Sequence, residues 1–153
     1  MKPNRPKFHF LLHAADLVEE RLREQLTPLG LRPRQARIMD ALSRMGQASQ
    51  SALAREFDVS PASMSTMTAR LIAADFITRM EDPEDPRGNI LRLSEKGLSL
   101  MGQIDEAWAE VDRIIEELIG PGDFQDLARL TQALRDALGG RMPGPEGPVL
   151  DRS

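Results

Sequence analysis

Residues Ser49 to Lys96 read SQSALAREFDVSPASMSTMTARLIAADFITRMEDPEDPRGNILRLSEK. Their pattern predicts a short helix, a tight turn, a second helix, and then two strands joined by a Pro- and Gly-rich hairpin. This is the element order of a winged helix-turn-helix, in which the second helix commonly enters a groove of DNA. The fold class expected is therefore mainly α with a small β wing.

The turn chemistry of this stretch supports the two predicted helices. Ser49 is placed to cap the short helix Gln50–Phe57, and Asp58 tolerates the left-handed backbone that tight helix–helix turns require. Ser60 followed by Pro61 is a strong helix start, because the hydroxyl accepts a free backbone N–H and proline needs none.

The second helix has an outer face of unusual chemistry. Met64, Met67 or Thr68, and Leu71 are predicted to face inward. The outer side is small, hydroxyl-rich and free of acids, so it fits a major groove, whereas an ordinary solvated helix face carries Glu and Lys. The DNA-binding candidates on this helix are Ser60, Pro61, Ala62, Ser63, Ser65, Thr66, Ala69 and Arg70.

Two strand-like runs, Phe76–Met80 and Asn89–Leu93, follow this helix, with Asp75 where glycine would normally end it. The loop Glu81–Gly88 between them is expected to carry Arg87 at its tip, where a guanidinium can enter a narrow A·T-rich minor groove. The Asp and Glu side chains of this loop would repel DNA phosphates unless they point away from the DNA. Asp85 is placed to pair with Arg87. The wing candidates are Arg79, Asp85, Arg87 and Asn89.

Helical patterns flank this module on both sides. Apolar residues recur at steps of three and four from Phe8 to Leu29, a second helix spans Leu31–Met45, and a third pattern runs from Ser94 to Ile119. Asp123 is predicted to cap a last helix that ends at Leu138. A helix of about 25 residues extends roughly 38 Å, which is longer than a small domain can cover.

The uncovered apolar stripes predict a homodimer, since a monomer would leave them in water. Residues 8–30 and 98–139 are assigned to a helical dimerisation region, 31–97 to the winged helix-turn-helix, and 1–7 and 140–153 to disordered tails. The dimerisation candidates are Phe8, Leu11, Ala15, Ile115, Leu118, Phe124, Leu127, Leu130, Leu134 and Leu138.

Composition narrows the function classes. The 153 residues are 41% hydrophobic and 29% charged, with a net charge of −4 and no cysteine, so disulfides and thiolate sites are excluded. Neither a membrane-spanning segment nor a signal peptide is expected, which fits a cytoplasmic protein. The sequence shows neither a nucleophile–base arrangement nor a Gly-rich phosphate loop, so we expect neither an enzyme nor a cofactor. His9 and His13 have a spacing that can hold a metal, but without further ligands packing or cleft lining is favoured.

The module is itself slightly acidic. From Ser49 to Gly97 it has six Lys or Arg residues and eight Asp or Glu residues, a formal charge of −2. Because sequence-independent affinity comes from neutralising phosphates, its non-specific binding should be weak and strongly salt-sensitive.

The wing and the segment after it resemble the MarR family of bacterial transcriptional regulators. The resemblance covers roughly residues 8–139, and its most specific parts are DPEDPRG at 82–88 and LSEKG at 93–97. That family's wing usually reads Asp-Pro-x-Asp-Arg-Arg, so Asp85 and Arg87 match it, whereas Pro86 replaces its first arginine. Asp75 in place of glycine is a milder departure.

This resemblance implies a homodimeric repressor or activator on a pseudo-palindromic operator. Arg87 would enter the minor groove, Asp85 would brace it, and the helix from Pro61 would read the major groove. A small, aromatic ligand would lie between the first, second and long fifth helices and alter the spacing of the two DNA-reading helices. The lining candidates are Phe10, His13, Arg37 and Trp108.

The acidic wing and Pro86 favour one alternative, a dimeric antirepressor or protein-interaction module that has this scaffold and does not bind DNA.

Overall fold

In the computed structural model, residues 4–140 are described and form six α-helices with a three-stranded antiparallel sheet. The helices are α1 Phe8–Leu26, α2 Pro33–Met45, α3 Gln50–Glu56, α4 Pro61–Ala73, α5 Glu95–Ile119 and α6 Pro121–Ala137, with a 3-10 turn at Thr27–Leu29. The strands are β1 Ala48–Ser49, β2 Ile77–Asp82 and β3 Asp85–Leu93, in the order β1-β3-β2. The mainly helical winged fold is therefore confirmed. Most of the predicted tails, residues 1–3 and 141–153, lie outside the described residues.

Serine side chains start three of the helices. The Ser49 hydroxyl accepts the backbone N–H of Ala52 at 3.0 Å, and the Ser60 hydroxyl accepts that of Ser63 at 3.1 Å. Ser94 caps α5 in the same way. The caps predicted at Ser49 and Ser60 are confirmed, because each hydroxyl satisfies an N–H that has no partner within its own helix.

Some predicted helix boundaries are wrong by a few residues. The N-cap of α6 is Gly120, not Asp123, because Pro121 occupies the first helical position and places Asp123 within the first turn. Pro33 likewise starts α2 two residues after the expected Leu31. The helix α1 ends at Leu26, where the chain tightens into the 3-10 turn.

The core is aliphatic and centred on the winged helix-turn-helix. Met64, Thr68 and Leu71 form the buried side of α4, as predicted, whereas Met67 is only half-buried. Met64 and Leu71 join one cluster with side chains from α2, α3, the sheet and the first half of α5, including Ile38, Met39, Leu42, Leu53, Leu91 and Ile104. This packing fixes which face of α4 remains in solvent.

A tight junction joins the end of α4 to the start of α5. Asp75 adopts φ 63°, which is the left-handed conformation expected from its glycine-like position. The Ser94 hydroxyl donates to the Asp75 carbonyl oxygen at 2.6 Å, and the Ser94 N–H donates to the Phe76 carbonyl oxygen at 3.0 Å. Gly97 passes so close that a Cβ there would clash with the Phe76 carbonyl group. The helix α4 is thereby coupled to the long α5.

Within the described residues, none of the helices is both long and apolar enough to span a bilayer.

Candidate nucleic-acid interface

The exposed face of α4 carries all eight candidates predicted there. Ser60, Pro61, Ala62, Ser63, Ser65, Thr66, Ala69 and Arg70 are all exposed. Some hydroxyls bond within the helix: Thr66 Oγ1 donates to the Ala62 carbonyl at 3.1 Å, and Ser60 Oγ bonds Ser63 Oγ at 3.0 Å. No residue of Pro61–Ala73 is acidic, so this face presents methyl and hydroxyl groups with Arg70 in its last turn.

The hairpin turns at Pro83 and Glu84, so the expectation that Arg87 lies at its tip is wrong. Arg87 belongs to β3, whose pairing with β2 continues through Glu81↔Asn89 and ends with Asp82↔Asp85. The reason is side-chain chemistry within the loop. The Asp82 carboxylate accepts the N–H of Glu84 at 2.9 Å, and the Asp85 carboxylate accepts that of Arg87 at 3.0 Å, which closes a turn that alternation of apolar residues does not reveal.

Asp85 therefore contacts the backbone of Arg87 and not its guanidinium. Its other carboxylate oxygen lies against Gly88, where a Cβ would approach to 3.2 Å. The register shift after Glu81 leaves Pro86 to Gly88 outside the ladder. Pro86 consequently replaces the family arginine without removing a ladder hydrogen bond, and the exposed Arg87 follows it at the bulge.

Arg79 and Asn89 lie on one face of the hairpin, since Arg79 pairs with Leu91 and Asn89 pairs with Glu81. Arg79 is exposed and Asn89 is half-buried. The wing thus brings two of its candidates together on one face, with acidic side chains concentrated at the turn.

Exposed apolar side chains are concentrated on α1, the end of α5 and α6. Among the dimerisation candidates, Leu118 is 77% exposed, Leu130 56% and Leu138 78%; Phe8, Leu11, Ala15, Leu127 and Leu134 are also exposed, whereas Ile115 and Phe124 are half-buried. The sequence reading missed Leu12 and Leu17, which are exposed on α1, because it followed one stripe of that helix. An apolar groove of about 210 Å³ also separates α1 from α5.

The four ligand-lining candidates occupy different surroundings. Phe10 and His13 line a shallow depression of about 450 Å³ along the N-terminal half of α1. The guanidinium of Arg37 lies over the Phe57 ring, 5.6 Å from its centroid. Burial lowers the pKa of Arg37, and the positive charge of Arg34 lowers it further. The negative charge of Asp40 acts in the opposite direction. Trp108 is half-buried against the core. Arg37 and Trp108 are not part of the lining around Phe10 and His13.

Within residues 4–140, His, Cys, Asp and Glu form no group of three or more that could hold a metal ion.

An acid-free helix on a short helix-turn-helix, followed by a two-stranded wing, defines the chain as a winged helix-turn-helix protein. The MarR family model matches residues 31–88, from just before α2 to the wing. The resemblance to this family is confirmed over the winged helix-turn-helix by the family-model match. Members of the family are transcription regulators and not enzymes.

Solved structures share the fold across nearly the whole chain. Apo MarR from E. coli is 16% identical with a TM-score of 0.74, over 87% of this chain and 98% of that one. AbsC, a MarR family transcriptional regulator from Streptomyces coelicolor, is 24% identical with a TM-score of 0.75, over 91% and 96%. A mutant E. coli MarR complexed with operator DNA is 18% identical with a TM-score of 0.74, over 83% and 92%. No curated protein matches the sequence.

Proposed function

We propose that this chain is a homodimeric, sequence-specific DNA-binding transcriptional regulator that acts as a repressor on a pseudo-palindromic operator. Two copies of α4 would enter successive major grooves about one helical turn apart, and a small aromatic ligand would modulate binding. The observation that carries the proposal is the exposed face of α4. It is small and uncharged apart from Arg70, so it can approach base edges without repelling phosphate.

The similarity to the E. coli MarR mutant that was solved with operator DNA supports DNA binding by this fold. Its fold matches this chain at a TM-score of 0.74. In the proposed complex, Ser60, Ser63 and Thr66 would face the bases and the wing would reach the flanking minor groove. Arg87 would then supply the minor-groove cation, with Arg79 and Asn89 on the nearby hairpin face.

The exposed apolar surface supports the dimer. Monomeric proteins rarely leave contiguous apolar patches larger than a few hundred Å² in water. Here the exposed leucines of α6 recur at three- and four-residue steps, at Leu127, Leu130, Leu134 and Leu138. A second copy offers the same surface, so a two-fold interface formed by α1, α6 and the end of α5 would bury both sets at once.

A ligand could act through the coupling of the dimerisation helices to the DNA-reading helices. In each protomer α5 runs from the Ser94 junction beside α4 to the end that packs on α6. A molecule bound along α1 near Phe10 and His13 would therefore contact the region that sets the distance between the two copies of α4. Ligand affinity and operator affinity would then be linked by one coupling free energy.

The test of this proposal is specific DNA binding by the full chain. A random-sequence duplex pool and promoter fragments would be incubated with the protein at a series of salt concentrations, and bound duplexes would be sequenced. We expect enrichment of inverted repeats and a complex with two chains per duplex. Absence of any specific complex even at low salt would refute the proposal.

The ligand part has its own measurement, a thermal melt of the protein against a library of aromatic acids. A ligand of the native state raises the melting temperature by mass action. We expect at least one acid to raise it and to weaken the DNA complex. No shift with any member of the library would contradict the ligand part alone.

One observation favours a second candidate, a dimeric antirepressor or protein-interaction module that does not bind DNA. The wing turn carries Asp82, Glu84 and Asp85 around a single nearby arginine, Arg87, and these acids repel phosphate. Under this candidate the protein would remain dimeric, enrich no DNA sequence at any salt concentration, and bind another regulator through the wing.

A further inference from the structure

We propose a phosphate-binding site between the N-terminus of α2 and the C-terminal turn of α4, filled by a backbone phosphodiester of bound DNA. The site rests on the proposed DNA-binding function and adds Arg32 and Gln35 to the interface. Both lie outside the helix-turn-helix helices and the wing, in which all the predicted DNA contacts fall.

The site is an open cavity of about 390 Å³. It is lined by two arginines from separate elements, Arg32 at the N-cap of α2 and Arg70 in the last turn of α4. Leu31, Leu71, Ala74 and Phe76 supply apolar wall, with Thr27, Gly30 and Gln35 completing the lining. No aspartate or glutamate lines this cavity, although the surrounding module is acidic overall.

Gln35 adds a side-chain amide to the lining of the cavity. The residue is only 8% exposed, and its side-chain Oε1 accepts the backbone N–H of Arg32 at 2.9 Å. That bond fixes the amide orientation and leaves the Nε2 group to donate elsewhere. Within residues 4–140, neither this Nε2 group nor the guanidinium groups of Arg32 and Arg70 have a hydrogen-bonding or ionic partner.

The electrostatics around the cavity favour an anion. The Lys96 ammonium donates to the carbonyl oxygen of Ala74 at 3.1 Å and lies over the ring of Phe76, 5.1 Å from its centroid. Ala74 and Phe76 line the cavity, whereas Lys96 itself does not. The N-terminus of α2 adds the positive end of a helix dipole. A phosphate has the charge and the several acceptor oxygens to satisfy these donors together.

The position of the cavity identifies the phosphate as one of the DNA backbone. The helix α4 has 13 residues, so it extends about 20 Å at 1.5 Å per residue, whereas the major groove of B-DNA is only about 12 Å wide. With the first turns of α4 at the bases, its last turn must reach the sugar-phosphate wall. Arg70 and the cavity beside it would lie there.

The experiment compares Arg32→Gln with Arg34→Gln in the full chain. Arg32→Gln removes one guanidinium but keeps the backbone N–H that bonds Gln35. Arg34→Gln is the matched control, because Arg34 is exposed on the same helix with the same charge and does not line the cavity. The probe is a mixed-sequence 30-base-pair duplex, since phosphate contacts carry no sequence information.

Each phosphate contact contributes about 0.9 to the slope of log affinity against log salt. Arg32→Gln should lower that slope by about 1 and weaken binding roughly tenfold at low salt, and Arg34→Gln should leave the slope unchanged. On the inverted repeat selected from the random pool, where the register is fixed, a scan of single methylphosphonates should find one position in each half-site whose substitution weakens wild-type binding but not Arg32→Gln binding. Equal slopes for the two variants would overturn the site while leaving DNA binding intact.

A titration with inorganic phosphate tests whether the cavity binds a free phosphate ion instead of a phosphate of the DNA backbone. At constant ionic strength we expect millimolar phosphate to bind the cavity too weakly to displace the duplex. Saturation by free phosphate that depends on Arg32, combined with an unchanged DNA salt slope, would assign the site to a free anion and overturn the backbone assignment. Failure of the wild type to bind any duplex at low salt would instead refute the proposed function, and this site with it.

Discussion

Replacing Gly97 by alanine tests the junction between α4 and α5. A Cβ at this position would clash with the Phe76 carbonyl oxygen, and its separation from the carbonyl carbon would be only 3.0 Å. Because the obstacle is backbone, the first turn of α5 must move away from the end of α4. The hydrogen bonds that Ser94 makes to the carbonyl groups of Asp75 and Phe76, at 2.6 Å and 3.0 Å, lie in the path of that movement.

Three effects determine how much Gly97→Ala lowers the free energy of unfolding. Overpacking a well-packed site costs about 1–3 kcal/mol, and each weakened hydrogen bond costs about 1 kcal/mol. Alanine recovers up to about 1 kcal/mol of helix propensity. The net destabilisation of Gly97→Ala should be about 2–4 kcal/mol, which lowers the melting temperature by roughly 5–12 °C for a chain of this size.

Urea and thermal unfolding at a fixed protein concentration would measure this effect, with Gly102→Ala as the control. Gly102 lies on the same helix, is exposed, and would place its Cβ in open space. Its substitution should therefore stabilise the protein by up to about 1 kcal/mol. A Gly97→Ala protein as stable as the wild type would show that α4 and α5 are not tightly packed at this junction.

Three further outcomes are expected. Leu130→Ala should raise the dimer dissociation constant roughly thirtyfold in sedimentation experiments, since about 1 kcal/mol of burial is lost per chain. The control Met80→Ala changes a side chain that is exposed on the wing and should leave this constant unchanged. Equal effects of the two substitutions would contradict the proposed interface. Asp75→Gly should be about 1 kcal/mol more stable to urea than Asp75→Ala, because φ is 63°, and equal stabilities would argue against that strain. Arg87→Ala should weaken operator binding by about tenfold or more, as measured by fluorescence anisotropy, and unchanged affinity would remove this residue from the interface.

Local chemistry made much of the fold predictable. Ser49 and Ser60 cap helices, and Asp75 adopts the left-handed conformation, for reasons visible within four residues of sequence. The inner side of α4 was predictable because the spacing of Met64 and Leu71 matches the helical repeat. The family resemblance depended on the wing sequence itself.

The wing geometry was not predictable from the same patterns. A loop rich in Pro, Gly and Asp predicts unpaired backbone, yet the Asp82 and Asp85 carboxylates close a turn at Pro83 and Glu84 and extend both strands. Those bonds depend on side-chain geometry within the hairpin, which residue type alone does not determine.

The cavity between α2 and α4 was hidden for a different reason. Arg32 and Arg70 are far apart in sequence, and only the packing of α2 against α4 brings them to one cavity. Gln35 also resembles any polar residue of a first helical turn until its burial and its bond to the Arg32 N–H are known. Sites formed by tertiary packing leave no local sequence signal.

The proposed function requires two copies of this chain to read DNA together. Selection from a random duplex pool, followed by sequencing and by measurement of the mass of the complex, tests it most directly. We expect an enriched inverted repeat whose half-sites lie about 10 base pairs apart, bound by two chains. Enrichment of no sequence, or a complex of one chain on a single half-site, would contradict it.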